Sequence, residues 1–283
     1  MREDGYITAD QAEAAKSEPL TYAPQKTIII APHFVMYVKD LLVQKYGELM
    51  VTQGGLEVTT SLDPSIQTAT EMAVSDEINR LTRLHITNGA AMVTNPKTGE
   101  VLGMVGSKNY FDFASDGQVN VTTRLRQPGS SIKPVNYAVA LENGFTPATV
   151  IQDTPICYLI TGQKPYCPKN YDGSFHGPVT LRTALASSYN VPAVKTLSAF
   201  GVDKMIAKGQ SMGITTWDDP SRFGLSLTLG GGEITMVDMA VVYATLANTG
   251  LKVNLHPILK VTDSKNKLLQ EFKCCESTRV LNP

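Results

Sequence analysis

Apolar positions recur at helical spacing along two stretches of this chain, Pro32–Tyr46 and residues 64–84, and Gly47 closes the first. Between them residues 56–60 read as a short strand. A different pattern begins at residue 90. Residues 90–95 and 101–105 predict the arms of a hairpin, with Lys97-Thr98-Gly99 as its tight turn. A loop rich in Asp, Asn and Gly follows, and a helix is predicted from Ser130 to about Glu142, before Asn143-Gly144. Residues 145–180 carry many Pro, Gly and Tyr and few regular signals, which predicts an irregular connection facing a site. Further on, Thr235 with Asp238 caps a helix over Met236–Ala247 that Asn248-Thr249-Gly250 closes. The apolar runs 255–261 and 268–272 flank a polar turn. At the start, Thr8-Ala9-Asp10-Gln11 reads as a capping box for a short helix ending near Lys16, with residues 19–24 closing it. There is no internal repeat and no low-complexity segment.

The chemistry concentrates in Arg126-Gln127-Pro128-Gly129-Ser130-Ser131-Ile132-Lys133-Pro134. Ser130 precedes Lys133 by three residues, so both side chains fall on one helical face. Pro128 and Gly129 break what comes before and put Ser130 in the first turn. There, free backbone N–H groups and the positive dipole end favour a developing oxyanion. A hydroxyl alone is a poor nucleophile; a partly desolvated Lys133 one turn on is the candidate base. About one S-x-x-K string is expected by chance in a chain of this length. Ser264-Lys265-Asn266-Lys267 is such a string, in a polar turn that offers no shelter to a lysine. The second element is Ser187-Ser188-Tyr189-Asn190-Val191-Pro192. S-x-N is weak alone, since Ser107-Lys108-Asn109 and Ser264-Lys265-Asn266 also spell it. Gly230-Gly231-Gly232 lacks the G-K-[ST] ending of a phosphate loop and reads as a packing element.

Composition narrows the field. At 283 residues with 42% hydrophobic content the chain can bury a real core, and its net charge of −1 gives no electrostatic reason to expect nucleic acid. No apolar stretch approaches the ~20 residues needed to span a bilayer, and the N-terminus is not a signal peptide. His33, His85, His176 and His256 show no metal-ligand spacing, and no G-x-S-x-G elbow supports a Ser-His-Asp hydrolase. Cys157 and Cys167 flank a turn-rich stretch that can fold back, so a disulfide and two unlinked thiols both stand open. Adjacent Cys274 and Cys275 are expected to stay unbridged, because neighbours seldom meet the geometry.

In this order and spacing, the two motifs resemble the penicillin-binding transpeptidases and serine β-lactamases. The flanks narrow the resemblance to bifunctional class A penicillin-binding proteins: the stretch from Asn95 to Gly106, Leu181-Arg182-Thr183-Ala184-Leu185-Ala186 ahead of the second motif, and Leu229-Gly230-Gly231-Gly232-Glu233-Ile234-Thr235. That family's third element, K-T-G, follows S-x-N, and no such string occurs after Asn190; Lys97-Thr98-Gly99 precedes the serine and is read as a hairpin turn. The chain is therefore expected to stop short of the K-T-G strand. Its opening residues resemble the end of a glycosyltransferase domain. The implied organisation is 1–26 glycosyltransferase remnant, 27–85 linker and N-terminal helices, and 86–283 an incomplete transpeptidase domain.

The resemblance implies an α/β (α+β) fold of the penicillin-binding transpeptidase and serine β-lactamase kind, an antiparallel sheet flanked by helices and truncated before its last strands. The helix at 64–84 would pack behind the first strands. It further implies a peptidoglycan D,D-transpeptidase acting on stem peptides that end in D-alanyl-D-alanine, with β-lactams acylating the same serine. Ser130 would be the nucleophile and Lys133 its base. Ser188 would relay a proton to the leaving amine, and Asn190 would bind the substrate amide and Lys133. No metal or organic cofactor is implied. The location would be the extracytoplasmic face of a bacterial membrane, with any anchor in the parent protein. Two other classes stay open: an inactive truncated fragment and a β-lactam-binding sensor module. A hydrolytic β-lactamase lacks a recognisable deacylating Glu loop.

Overall fold

The computed structural model describes residues 1–19, 29–160, 162 and 164–282. The chain divides into two compact units, Met1–Ile30 and Ala31–Pro283. In the first, α1 (Ala9–Ser17) starts from the capping box that the sequence predicts: the Thr8 hydroxyl accepts from Gln11 N, and the Gln11 side chain accepts from Thr8 N. Of the closing stretch 19–24, only Pro19 lies among the described residues.

In the second unit, α2 (Pro32–Tyr46) begins with proline in its first turn, ends at Gly47, and buries Phe34, Val38 and Leu42 on one face. A short α3 (Glu48–Gln53), which sequence reading missed, leads to β1 (Glu57–Thr60). Next comes α4 (Pro64–Arg80), capped by the Asp63 carboxylate on the N–H groups of Ser65 and Ile66. The hairpin follows as β2 (Ala91–Thr94) and β3 (Val101–Val105), with Lys97, Thr98 and Gly99 in its turn. Behind it packs α4, where the buried Gln67 amide bonds both Met104 N (2.8 Å) and Met104 O (3.1 Å) of β3.

Residues 129–132 make one 3-10 turn that runs into α5 (Lys133–Glu142). Two strands then appear where sequence signals were weak, β4 (Val150–Asp153) and β5 (Gly177–Thr180), paired antiparallel. They lead into α6 (Leu181–Ala186), α7 (Asn190–Phe200) and α8 (Val202–Met212). The predicted cap of α9 (Met236–Ala247) is present, with Thr235 accepting from Asp238 N. The remaining strands are β6 (Leu251–Val253), β7 (Ile258–Thr262), β8 (Leu268–Glu271) and β9 (Ser277–Arg279).

The fold is α+β, but its strands do not form one sheet. Among the described residues there is a three-stranded antiparallel sheet, β1-β7-β8, and three two-stranded ones, β2-β3, β4-β5 and β6-β9. Each ladder is short, and helices carry the packing. One core joins α2 to β3 and β7 through Phe34, Val38, Val101, Met104 and Val261. Another gathers Ile132, Val135, Leu197, Met205, Met212 and Trp217 around α5, α7 and α8. A third holds Tyr137 and Ala140 of α5 against Ile151, Val179 and Ala193. The two inner faces of α5 thus sit in separate cores, which fixes the helix in rotation. Each large side chain buried in this way contributes about 1.5–3 kcal/mol.

The structure closes the question of the first cysteine pair: Cys157 and Cys167 are disulfide-bonded, with Cα atoms 4.2 Å apart, beside a bridge between Tyr158 and Tyr166. The side chains of the adjacent Cys274 and Cys275 lie against each other.

Candidate active site

Pro128 and Gly129 bring the chain to the nucleophile candidate. Gly129 has φ +59°, and Ser130 follows, exposed, in the 3-10 turn rather than in the first turn of an α-helix as predicted. The turn is pinned on both sides. Ser131 Oγ donates to Pro128 O (2.6 Å), Tyr243 OH donates to Ser131 O (2.9 Å), and Ile132 is fully buried. On a third side lies the triple glycine. Gly230 has φ +90°, and a methyl on it would overlap the backbone nitrogen and Cα of Gly129. The packing role read from sequence is therefore direct: Gly230 lets two backbones touch immediately before Ser130.

Lys133, one turn on, is 1% exposed. Its ammonium nitrogen donates to Ser188 O (2.5 Å), Ser188 Oγ (3.1 Å) and Asn190 Oδ1 (2.8 Å). No carboxylate is among these partners, and burial brings the amine down from 10.5 to about 8. Ser188 sits between α6 and α7 with φ +55°, a left-handed conformation that a non-glycine residue adopts only when its surroundings hold it. That conformation turns both its carbonyl and its hydroxyl towards Lys133.

Three of the four predicted residues are thus in direct contact around one nitrogen. Ser130 is placed by the turn that leads into Lys133, and among the described residues its hydroxyl takes part in no hydrogen bond. The decoys separate cleanly. Lys97 and Thr98 lie in the hairpin turn, and Ser264 and Lys265 lie in the exposed turn between β7 and β8, where the Asp263 carboxylate accepts from Lys265 N and Lys267 N.

Sequence reasoning missed the residues behind the motifs. Asn136, fully buried on α5, donates to Ala193 O of α7 and to Thr228 Oγ1, both at 2.9 Å, so it ties the lysine's helix to the helix that Asn190 begins. Asn170 and Asp153 hold Asn190 from the other side. A polar residue in an apolar run, at helical spacing from Lys133, was the one signal available for Asn136; for the other two, nothing in the sequence separates them from ordinary turn residues.

Comparison with known proteins gives the site its setting. Residues 89–274 match the model of the penicillin binding protein transpeptidase domain. The chain belongs to that family. It is 32% identical over 278 residues to penicillin-binding protein 2D of Bacillus subtilis, covering 96% of this chain and 39% of that protein. It is 33% identical over 278 residues to penicillin-binding protein 1B of Vibrio cholerae, covering 96% of this chain and 35% of that one. The chain therefore spans little more than a third of the length of these relatives. Among solved structures, penicillin-binding protein 1A of Haemophilus influenzae superposes with TM-score 0.77 at 22% identity, over 95% of this chain and 54% of that one. PonA1 of Mycobacterium tuberculosis in complex with penicillin V superposes with TM-score 0.74 at 21% identity, over 90% and 68%. At those identities the superpositions show the shared fold.

Proposed function

We propose that this chain performs the acyl transfer of a peptidoglycan D,D-transpeptidase, with stem peptides ending in D-alanyl-D-alanine as substrate and an acyl-enzyme on Ser130. The observation that carries this reading is the hydrogen bonding of Lys133. A neutral amine has two N–H donors and one lone pair. Ser188 O and Asn190 Oδ1 are oxygens that only accept, so they take the two donors and leave the lone pair facing a hydroxyl, in this structure that of Ser188 at 3.1 Å. With a pKa of about 8, about a tenth of the lysine is neutral at pH 7.

In the proposed reaction Ser130 Oγ passes its proton to Lys133 Nζ and bonds to the penultimate carbonyl carbon. The Ser130 N–H is one donor for the oxyanion that forms. Collapse breaks the amide bond to the terminal D-alanine, and Ser188 Oγ relays the proton to its nitrogen. An amine of a neighbouring stem then attacks the Ser130 ester, which forms the cross-link and returns the serine its proton. One Asn190 Nδ2 hydrogen is taken by Lys169 O at 3.0 Å, and the other is assigned to the substrate amide. β-Lactams would acylate the same serine. The place of work would be the extracytoplasmic face of the bacterial membrane, where this substrate lies; among the described residues no helix is long and apolar enough to cross a membrane. The assignment of 1–26 to a glycosyltransferase domain and 27–85 to the lead-in belongs to the same proposal; the transpeptidase family match begins after them, at residue 89.

A pentapeptide ending in D-alanyl-D-alanine tests the substrate. The protein is expected to release free D-alanine, Ser130→Ala to release none, and Asn190→Ala to turn over more slowly while its melting point moves by only a few degrees. Penicillin labelling without any D-alanine release would confine the chain to β-lactam binding and contradict the substrate assignment.

A further inference from the structure

The N-terminus of α7 carries Asn190, and no side chain of its own caps it: the cap position is Tyr189, whose side chain makes no capping bond. The first N–H groups of any helix lack intrahelical partners. Here a residue twenty positions earlier supplies them. Asn170 Oδ1 accepts from Asn190 N (2.8 Å) and from Val191 N (3.1 Å). The Asn170 Nδ2 donates to Asp153 Oδ2 (2.7 Å) and to Ser174 O (2.8 Å), so its amide has every hydrogen-bonding position filled while the residue is 5% exposed. The adjoining Lys169 carbonyl accepts from Asn190 Nδ2. Residues 169 and 170 therefore grip Asn190 by backbone and side chain together. The grip decides which end of the Asn190 amide faces inward: Nδ2 points to Lys169 O, and Oδ1 is left for Lys133.

Behind Asn170 the support continues. Asp153, fully buried at the end of β4, also accepts on Oδ2 from His176 N (3.0 Å) and faces His176 Nδ1 at 2.7 Å. The imidazole lies between Asp153 and Asp172 and stacks on Tyr189, ring centroids 4.0 Å apart. Each residue of the second motif is thereby held by a different group: Ser188 by Lys133, Tyr189 by His176, and Asn190 by residues 169–170. An ordinary helix cap needs only the Asn170 oxygen; the Lys169 and His176 contacts act on the motif side chains themselves.

We propose that Asn170, backed by Asp153 and His176, is a positioning residue for the acyl transfer, setting the Asn190 amide against Lys133 and the substrate. This rests on the reading of Lys133 and Asn190 given above. The test is the acylation of the protein by a fluorescent penicillin, resolved into reversible binding and the chemical step, alongside amide hydrogen exchange at residues 190 and 191. Asn170→Ala should speed exchange at both amides and slow the chemical step by about 10–100-fold, the range for groups that orient a working ligand, with reversible binding changed far less. Asn170→Asp keeps an oxygen for Asn190 N and Val191 N and should restore slow exchange at both amides. Should Asn170→Ala fail to fold, His176→Phe decides: it keeps the stacking on Tyr189, removes the donor to Asp153, and should slow the chemical step severalfold. A folded Asn170→Ala or His176→Phe protein with the wild-type rate of the chemical step would overturn the proposal. If the wild-type protein takes no penicillin on Ser130, the functional reading fails instead; the exchange rates still report whether Asn170 holds the backbone of Asn190.

Discussion

Lys133→Ala is expected to lower the rate of Ser130 acylation by about 10²-fold or more while the protein stays folded, because a general base contributes about 10²–10⁴. The fold argument turns on burial. The wild-type lysine is buried away from water with no carboxylate beside it, which depresses its pKa to about 8, so its charged form is disfavoured in the folded chain. The sign follows from proton counting. Between pH 8 and 10.5 the unfolded chain binds the lysine proton and the folded chain does not, so stability from this group rises with pH across that window and is lowest at neutral pH. A depression of this size corresponds to roughly 3 kcal/mol of destabilisation at neutral pH, which alanine removes and which offsets the packing it loses. The kinetic consequence has the same origin. In the proposed reaction the neutral amine is the working form, so wild-type acylation should rise about tenfold per pH unit up to pH 7 and level off near pH 8, and the slow residual reaction of Lys133→Ala should lack that rise. A folded Lys133→Ala protein acylated at nearly the wild-type rate would remove Lys133 from the role.

The second large effect is expected at Gly230, which packs on the backbone just ahead of Ser130. A methyl there must displace the backbone of Gly129, since the overlap is with main-chain atoms that cannot swing aside, and its oxygen would stand only 2.7 Å away. Gly230 also holds φ +90°, a conformation that costs an L-residue about 1–2 kcal/mol. If the turn yields, Ser130 moves with it, and a displacement of about 1 Å at a reacting group can cost about 10²-fold. Gly230→Ala is therefore expected to lower the melting point and slow acylation by about 10²-fold. Gly224→Ala, at a glycine where an added methyl meets nothing within 4 Å, is the control and should change neither. Wild-type acylation by Gly230→Ala would show that the contact with Gly129 does not set the position of Ser130.

These two positions mark the limits of what the sequence discloses. Ser130, Lys133, Ser188 and Asn190 were legible because each motif is local: S-x-x-K and S-x-N place their members within one turn of chain. The gathering of three of them around one nitrogen was not. It depends on the left-handed Ser188 and on Asn136 tying α5 to α7. The hairpin 91–105, the helices α2, α4 and α9, the capping box at Thr8 and the cap at Thr235 were legible for the same reason, since their periodicity and caps lie within a dozen residues. The strands β4 and β5 were not, because four-residue ladders, one holding Pro178, carry too little alternation to stand out. Nor could spacing show that Gly230 abuts Gly129, or that Asn170 caps a helix beginning twenty residues later. Those are through-space relations that only the packed cores create.

The central claim, an acyl-enzyme on Ser130, is most directly tested by mass spectrometry of peptides from the protein after incubation with penicillin. The account predicts a single added mass of the whole antibiotic on the peptide containing residues 126–134, localised by fragmentation to Ser130 and absent from Ser130→Ala. An adduct on Ser131, Ser188 or Ser264, or a folded Ser130→Ala protein that still labels, would contradict it.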